Sequence, residues 1–295
     1  MRIKRTNFTI GADPEVFVKD SKTGEFVGAH GLIEGTKENP VDLPGTHCQG
    51  QVDGMALEFN TLPMYDVANF ARHIHQGKKG LQRRFTQSWG YDYDNDGWNY
   101  RIKYKNPTLK IALVTTAEFS QDEWDRAPRE AKILGCEPDF NAWTEKVNKP
   151  PNAAATFRTA AGHVHIGWGR RFNLDDHFLK VCAGFAREMD AVVGVASLLW
   201  DQDTKRRELY GKAGAFRPKS YGVEYRTLSN SWVRNTALAS YVGRRTFEAA
   251  RNMMYQKTIQ TAEVMGIIND NRVEEAKYWL KDHKITFPPA KYRVD

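Results

Sequence analysis

Two histidines stand two positions apart in the stretch AAGHVHIGW, whose other residues are small or apolar. On a β-strand this spacing sends His163 and His165 to one face, and it sends Val164, Ile166 and Trp168 to the other. Imidazole side chains bind metal ions and form hydrogen bonds, whereas the opposite face of this strand suits a hydrophobic core. The pattern therefore indicates a half-buried strand whose second face is equipped for chemistry.

Three further predicted strands carry acidic residues with the same alternation. In each strand, polar residues two positions apart share one face, and apolar residues occupy the other face. The polar residues are Asp13 and Glu15 in GADPEVFV, Glu58 and Asn60 in QVDGMALEFN, and Glu224 and Arg226 in YGVEYRTLSN. Pro14 lies between the first two acids, which favours the end or edge of a sheet for that strand.

These polar faces have an ordinary interpretation and a functional one. Any single strand could simply face water, because antiparallel sheets often solvate one face. Four such strands together favour a shared site, since water-facing strands usually carry Thr, Lys, Arg and Gln rather than Asp, Glu and His. Carboxylates that converge on one face repel each other unless a positive charge compensates. Oxygen ligands favour Mg²⁺ or Mn²⁺ and tolerate one imidazole, so a divalent-metal site is expected.

A basic segment, KRRELYGKAGAFRPKSYGVEYR, follows at residues 205–226. Its arginines can bind phosphate or carboxylate through two parallel hydrogen bonds, and its glycines allow the backbone to approach a ligand closely. The spacing does not form a Walker loop, so the strongest phosphate-binding motif is absent from the sequence. Basic residues beside predicted metal ligands favour a site for a metal-bound polyphosphate.

The elements that must position these residues follow from the spacing of apolar side chains. Strands are predicted over residues 7–18, 52–60, 109–119, 156–168 and 221–229. Helices are predicted over 64–84, 173–199, 235–264 and 273–282, with Asn173 as the N-cap of the second helix. Since strands and helices do not alternate regularly, we expect an α+β fold with a largely antiparallel sheet. Residues 1–295 are predicted to form one domain, with 85–106 as a surface excursion and 235–295 as C-terminal helices.

The composition is typical of a soluble globular protein: 41% of the 295 residues are apolar and 27% are charged. The longest apolar run, residues 191–200, is about half of what a bilayer crossing needs, and the basic start lacks the apolar segment of a signal peptide. We therefore expect a cytoplasmic protein with no membrane partner. The three cysteines, Cys48, Cys136 and Cys182, are an odd and scattered set, which favours free thiols.

The net charge of +7 raises the question of an acidic partner. The densest basic group, KKGLQRRF at 78–85, resembles the solvated end of a helix, so nucleic acid is an unlikely partner. A small anionic substrate such as a nucleoside triphosphate would use the same charge. The segment DYDNDG (92–97) imitates the start of a calcium loop, but Lys103 stands where that loop needs a carboxylate. It is interpreted as a polar turn.

Six motifs together resemble those of a known superfamily. They are GADPE, VDGMALEFN, CEPDFNAW, GHVHIG, RRELYGKAGAFR and GVEYRTLSNSW, and they lie in this order between residues 8 and 235. They are similar to the motifs of amidoligases in the glutamine synthetase and glutamate–cysteine ligase superfamily, above all the carboxylate–amine ligases of phages and bacteria. The resemblance implies a glutamine synthetase-like α+β domain with a curved, largely antiparallel sheet. Its inner face would bind ATP and two or three Mg²⁺ or Mn²⁺ ions, in the host cytoplasm if a phage encodes the protein.

The resemblance also implies roles for the matching residues. The metal ligands would be Asp13, Glu15, Asp53, Glu58, His163 and Glu224. ATP would contact His165, Arg207, Tyr210, Arg217 and Arg226. The catalytic set would be Arg226, Arg217 and Glu224, with Arg226 meeting the transferred phosphoryl group. Two departures, an Asp rather than a Glu at position 13 and the short separation of Asp53 from Glu58, leave the number of metal ions open.

The implied activity is an ATP-dependent ligase that joins a carboxylate to an amine through an acyl phosphate. The substrates would be small molecules or peptides, and ammonia is disfavoured because no ammonia-binding loop is recognisable. Three alternatives stay open: a phosphotransferase of the same superfamily, a metal-dependent phosphoesterase, and a non-catalytic binding protein. The substrates, the oligomeric state and the pathway do not follow from the sequence.

Overall fold

The computed structural model describes residues 8–94, 97–132, 139–148 and 156–293, and the side chains of these residues except 89–94 and 97–103. The strands are β1 (Thr9–Asp20), β2 (Phe26–Val27), β3 (Val41–Asp42), β4 (Gln49–Asp53), β5 (Ala56–Asn60), β6 (Gln87–Asp94), β7 (Gly97–Tyr104), β8 (Leu109–Ala112), β9 (Thr116–Glu118), β10 (Phe140–Asn141), β11 (Lys146–Val147), β12 (Phe157–Thr159), β13 (Gly162–Gly167), β14 (Ala215–Lys219) and β15 (Gly222–Tyr225).

The α-helices are α1 (Val67–Thr86), α2 (Gln121–Arg126), α3 (Arg129–Lys132), α4 (Asp176–Met189), α5 (Val195–Ser197), α6 (Thr204–Leu209), α7 (Thr236–Met254), α8 (Glu263–Asn269) and α9 (Val273–Asp282). A π-helical segment, Asp190–Gly194, joins α4 to α5, and 3-10 turns occur at Asn230–Arg234 and Ala290–Tyr292.

One large sheet has the order β11-β10-β14-β15-β13-β1-β5-β4-β3, and β2 and β8 also pair with β1. The pairs are antiparallel, which confirms the predicted α+β fold with a largely antiparallel sheet. The long strand β1 is central: its residues 9–14 pair with β13, Glu15 and Val16 pair with β5, and residues 17–20 pair with β8. Pro14, expected at a strand end or edge, stands inside β1 in the last pair with β13, where the partner strand changes. The glutamine synthetase-like form of this fold stays a prediction.

One face of the sheet carries the hydrophobic core. Its fully buried residues include Ile10, Leu57, Val164 and Val223. Helices α1 and α4 pack on strands of this face, and α7 packs against both helices. Buried apolar residues recur with a helical period in both helices: Phe70, Ala71, Ile74 and Leu81 in α1, and Phe178, Cys182, Phe185 and Met189 in α4. The core therefore leaves the opposite, polar face of the same strands for the residues singled out in the sequence.

A second, smaller core covers the far end of the polar face. Phe17, which shares the face of Asp13 and Glu15, packs with Phe119, Trp124 and other buried residues of the segment that holds β9, α2 and α3. The strands β9 and β12 form a separate two-stranded sheet there. This segment therefore covers the polar face of β1 from Phe17 onward.

Several predicted strands are divided by turns. Residues 52–60 belong to a hairpin of β4 and β5, because Gly54 adopts a positive φ of 58° after Asp53. Residues 109–119 contain β8 and β9, which join different sheets. Residues 156–168 likewise contain β12 and β13, also in different sheets. Alternation alone cannot reveal such breaks, since it continues through a short turn.

The predicted helices are closer to the observed ones. The predicted helix 273–282 matches α9 in both bounds. The helix predicted over 173–199 begins later: Asp175, rather than Asn173, is its N-cap and accepts a hydrogen bond of 2.8 Å from the backbone of Phe178. The helix predicted over 235–264 is interrupted, since α7 ends at Met254 and α8 begins at Glu263.

The predicted excursion at 85–106 contains the hairpin of β6 and β7, which is separate from the large sheet. Of the DYDNDG segment, residues 92–94 belong to β6 and residue 97 belongs to β7, and residues 95 and 96 are outside the described residues. The division of the chain into a single domain stays a prediction. Cys48 and Cys182 are buried free thiols, and Cys136 is outside the described residues. Within the described ranges, no helix is both long and apolar enough to cross a bilayer.

Candidate active site on the polar face of the sheet

The strand register brings the predicted polar residues together. Asp13 lies opposite His163, Glu15 lies opposite Glu58, and His165 lies opposite Glu224. Residues directly opposite in an antiparallel pair point to the same face of the sheet. The acids and histidines therefore share one face across four neighbouring strands, as the alternation predicts.

Asp13, His165 and Glu224 form the first acidic cluster, called here the histidine group. One ligand atom from each lies within 4.8 Å of the others. His165 Nε2 is 2.8 Å from Asp13 Oδ2, and His165 Nδ1 is 2.5 Å from the hydroxyl oxygen of Tyr221. Burial alone would raise the pKa of Asp13, but the charge and hydrogen bonds of the two nearby imidazoles outweigh it and hold that pKa below its ordinary value.

Three basic side chains surround Glu224 in the histidine group. Arg217 Nη1 is 3.4 Å and Lys219 Nζ is 3.1 Å from Glu224 Oε2, and Arg226 Nη1 pairs with the other carboxylate oxygen. Glu224 is nearly fully buried, which would raise its pKa, but Arg226 and the imidazoles lower the pKa to about 2. This carboxylate is therefore ionised and already charge-compensated by the protein.

His163 lies beside the histidine group without belonging to it. Its Nδ1 is 3.4 Å from Asp13 Oδ1 and 3.4 Å from Glu224 Oε1. Burial and the charge of Arg226 lower the pKa of His163, whereas Asp13 outweighs burial and raises the pKa of His165. The resemblance assigns a metal to His163 and nucleotide to His165, yet His165 is the histidine that joins the two acids. Which of the two binds metal stays a prediction.

Glu15, Asp53 and Glu58 form the second cluster, the carboxylate group, whose ligand atoms also lie within 4.8 Å of one another. The backbone N–H of Ala161 donates to Glu15 Oε2 at 2.8 Å, and Gln51 Nε2 donates to Glu58 Oε1 at 2.9 Å. Burial and the charge of Asp53 raise the pKa of Glu15 to about 8. Burial and neighbouring acids also raise the pKa of Glu58 well above its ordinary value.

The donor atoms of both groups suit Mg²⁺ or Mn²⁺. The carboxylate group offers only oxygen ligands, and the histidine group offers oxygens with one imidazole nitrogen, as these ions accept. His163 Nε2 is buried and has no hydrogen-bond partner among the described residues. Burial first, and neighbouring acids second, raise the pKa values of Glu15 and Glu58, and a bound cation would favour their ionised forms. The residues present therefore fit divalent ions.

Two cavities adjoin these clusters. A cavity of about 580 Å³ lies beside the histidine group and is lined by residues that include Asp13, Tyr65, His165, Arg170, Arg171 and Tyr221. A cavity of about 90 Å³ lies beside the carboxylate group and is lined by residues that include Glu15, Asp53, Arg158, His163, Tyr210 and Arg226. The large one has the size of typical small-molecule sites, whereas the small one can hold only a small chemical group.

The predicted basic residues divide between the site and the core. Arg217, Tyr210 and Arg226 lie at the clusters or the small cavity. Arg207 is buried elsewhere: its guanidinium donates to Asn271 Oδ1 at 2.9 Å and to the carbonyl of Asp201 at 3.2 Å, and it lines neither cavity. The residue type alone does not distinguish an arginine that forms hydrogen bonds inside the fold from one that faces a ligand.

Sequence reasoning missed other residues that line the cavities. Arg158 in β12, and Arg170 and Arg171 after β13, stand within a few positions of the two histidines. Tyr221 lies inside the quoted basic segment. The sequence offered one signal for these residues, which is that they lie close to the histidine strand in the chain. That signal does not show which of them line a cavity on the polar face.

Comparison with known proteins bears on the function. Residues 158–284, less than half of the chain, match the family model "Phage phiEco32-like COOH.NH2 ligase-type 2". No curated protein sequence matches the chain. Among solved structures, a bifunctional glutathione synthetase from Pasteurella multocida is similar, with a TM-score of 0.43 and 9% identity over 96% of this chain. The chain spans about half of that protein, 48% of its length.

The matched segment holds β13, β14 and β15, and thus the histidine strand, the basic segment and Glu224 with Arg226. These are the motifs on which the later half of the sequence resemblance rests. The family description names a ligase of carboxyl and amino groups. The match over residues 158–284 therefore confirms the predicted resemblance to carboxylate–amine ligases and supports ligase activity.

Proposed function

We propose that this protein is an ATP-dependent ligase that joins a carboxylate to an amine through an acyl phosphate. We base this on two acidic groups that lie next to each other on one face of β1, with Arg226 beside both. Asp13 and Glu15 are two residues apart, so their Cα atoms are about 7 Å apart along the strand. This arrangement suits a substrate that carries several negative charges in a row, as a triphosphate does.

Divalent ions would be held by the histidine group and the carboxylate group. Bound Mg²⁺ or Mn²⁺ would supply neutralising charge for the phosphates of ATP. The acids cannot accept a triphosphate without such charge, because like charges repel strongly in a partly buried site. The basic side chains of Arg217, Lys219 and Arg226 add fixed positive charge on the same face.

The nucleotide fits the large cavity and the acceptor carboxylate fits the small one. The base and ribose need a space of hundreds of cubic ångströms, which the cavity of about 580 Å³ provides. Tyr65 and Tyr221 offer aromatic surface there, and Arg170 and Arg171 offer positive charge. The small cavity brings Arg158 and Arg226 close to the carboxylate group, where a substrate carboxylate would be held.

The reaction has two steps on this face. An oxygen of the substrate carboxylate attacks the γ-phosphorus of ATP, and the bond between that phosphorus and the β-γ bridging oxygen breaks to release ADP. The amine nitrogen then attacks the acyl carbon and expels phosphate, and it loses a proton as the amide forms. Arg226 is placed to stabilise charge on the transferred phosphoryl group. The small size of its cavity limits the access of water to the acyl phosphate.

A product assay tests this function. The protein is incubated with ATP, Mg²⁺ or Mn²⁺, and a panel of amino acids and polyamines, and the release of ADP, phosphate and amide is measured. We expect all three products in equal amounts with at least one pair of substrates. ADP with a phosphorylated acceptor and no amide would instead indicate a phosphotransferase, and hydrolysis of phosphoesters without ATP would indicate a phosphoesterase.

A further inference from the structure

Asp190 is a buried acid on the core side of the sheet, behind the candidate active site. It has no solvent exposure and is the first residue of the π-helical segment that follows α4. The hydroxyl of Tyr225 donates to its Oδ1 at 2.6 Å, and the indole N–H of Trp143 donates to its Oδ2 at 2.6 Å. The hydroxyl of Thr227 lies 3.2 Å from Oδ1. One carboxylate thus receives hydrogen bonds from three side chains.

Two of these donors flank the catalytic candidates. Tyr225 and Thr227 alternate in sequence with Glu224 and Arg226. Tyr225 and Thr227 therefore point to the core face, whereas Glu224 and Arg226 point to the polar face. Asp190 therefore accepts hydrogen bonds on the core side of the sheet from the two residues that flank Arg226, Tyr225 and Thr227. The backbone N–H of Arg226 also donates to the carbonyl of Ala215 at 2.9 Å, which keeps the stretch against β14.

The third donor connects Asp190 to a second neighbour of Arg226. Trp143 lies just beyond β10, where its backbone N–H donates to the side-chain oxygen of Asn141 at 2.9 Å. Asp139, at the start of the same segment, places its Oδ2 3.6 Å from Arg226 Nε. Asp190 thus joins the two segments that carry the partners of the Arg226 guanidinium.

Glycines allow the close packing that this network needs. A Cβ atom at Gly194 would lie 2.7 Å from the hydroxyl oxygen of Tyr225. A Cβ atom at Gly214, where φ is +78°, would lie 2.6 Å from the ring of Trp143. The π-helical segment adds a residue to the helix at this point, and such segments are frequent at functional sites.

We propose that Asp190 is a positioning residue, which sets the pose of Arg226 and Glu224 by holding Tyr225, Thr227 and Trp143. The inference rests on the proposed function, because it assigns Arg226 to the phosphoryl group. Asp190 touches neither cavity, so its effect on the reaction passes through the residues it holds.

The first test compares two buried acids that are two residues apart, Asp190 and Glu188. Asp190→Asn keeps the shape but presents an amide nitrogen to one of the donors, so Arg226 loses its fixed pose. Glu188→Gln is the matched control, since Glu188 is equally buried but bonds to Asn252 and to the backbone of Ile259. We expect ADP release in the substrate panel to fall about 10-fold or more for Asp190→Asn and less than about 2-fold for Glu188→Gln.

The second test separates positioning from simple stabilisation. If Asp190 acts through Arg226, adding Asp190→Asn to Arg226→Lys should slow ADP release little further, because the guanidinium it positions is already absent. Tyr225→Phe removes only the hydroxyl that donates to Asp190, and it replaces Asp190→Asn in the test if that variant does not fold. Its effect on ADP release should likewise be non-additive with that of Arg226→Lys. Fully additive losses, or equal effects of Asp190→Asn and Glu188→Gln, would overturn the inference alone. A wild-type protein that releases no ADP would overturn the proposed function and this inference with it.

Discussion

The two acidic groups share a strand and a face but differ in how their charge is compensated. In the histidine group, Arg217, Lys219 and Arg226 lie against Glu224, whose pKa is lowered to about 2. In the carboxylate group, the neighbouring acid Asp53 adds to the effect of burial, and the pKa of Glu15 is raised to about 8. The protein thus compensates the charge of one group with its own side chains, whereas burial and neighbouring acids oppose ionisation of the other.

This difference indicates separate tasks for the two groups. Side chains that neutralise each other keep the histidine group ordered before any ligand arrives. In the carboxylate group, ionisation of Glu15 and Glu58 is opposed by burial and by neighbouring acids, and the positive charge of a divalent ion would favour it. We therefore expect the carboxylate group to depend more strongly on added metal than the histidine group.

The largest expected effect comes from removing one charge in the carboxylate group. Glu58→Gln should lower ADP release by about 10³-fold, because a metal ligand is lost, while its amide oxygen can still accept from Gln51. Without metal at pH 8, the melting temperature should stay equal or rise, because burial and neighbouring acids already oppose ionisation of Glu58 and glutamine is uncharged. Glu118→Gln on the exposed β9 strand is the control and should change neither quantity. A destabilised but active Glu58→Gln protein would mean that Glu58 serves the fold.

A smaller effect is expected from changing Arg226, one of the basic residues that surround Glu224 in the histidine group. Arg226→Lys keeps the charge beside Glu224 but loses the planar guanidinium, so turnover should fall by about 10²-fold with little change in metal binding. Melting temperature and ADP release are measured on the same samples. If the variant melts earlier yet turns over normally, the pair of Arg226 and Glu224 is a structural salt bridge and the catalytic role is wrong.

The smallest expected effect is on the pH dependence of stability. The pKa of Glu15 rises from an ordinary 4.5 to about 8 on folding, so its contribution is fully present at low pH and is lost as the pH rises through 8. In EDTA, the melting temperature should fall by roughly 5 °C between pH 6 and pH 9. Excess Mg²⁺ should remove most of this fall, and Glu15→Gln should reduce it without Mg²⁺ while the contribution of Glu58 remains. A fall that Mg²⁺ and Glu15→Gln both leave unchanged would show that another group causes it.

The alternation of polar and apolar residues was enough to predict the polar face. His163, His165, Glu58 and Glu224 meet because a period of two fixes the face of a strand wherever the chain is straight. The same rule did not place Asp53, which a turn at Gly54 carries to the rim of the carboxylate group. Turn geometry depends on one backbone angle, which alternation does not report.

Other residues could not be assigned from the sequence because their roles depend on contacts with residues far away in the chain. Arg206 and Arg207 look like ligand-binding residues in the sequence, but Arg206 donates to three backbone carbonyls and Arg207 bonds to Asn271, 64 residues away. Asp190 directly precedes the apolar run 191–200 and belongs to no recognised motif. Its role depends on contacts with Trp143 and Tyr225, which are distant in sequence.

The dependence of nucleotide binding on divalent metal tests the central claim most directly. ATP binding is measured by calorimetry, once with excess Mg²⁺ and once with excess EDTA, on the same preparation. Because a divalent ion would neutralise both the triphosphate and the acids that hold the ion, we expect affinity to be at least about tenfold stronger with Mg²⁺. Equal affinity in Mg²⁺ and in EDTA would contradict the assignment of these acids as a metal-dependent nucleotide site.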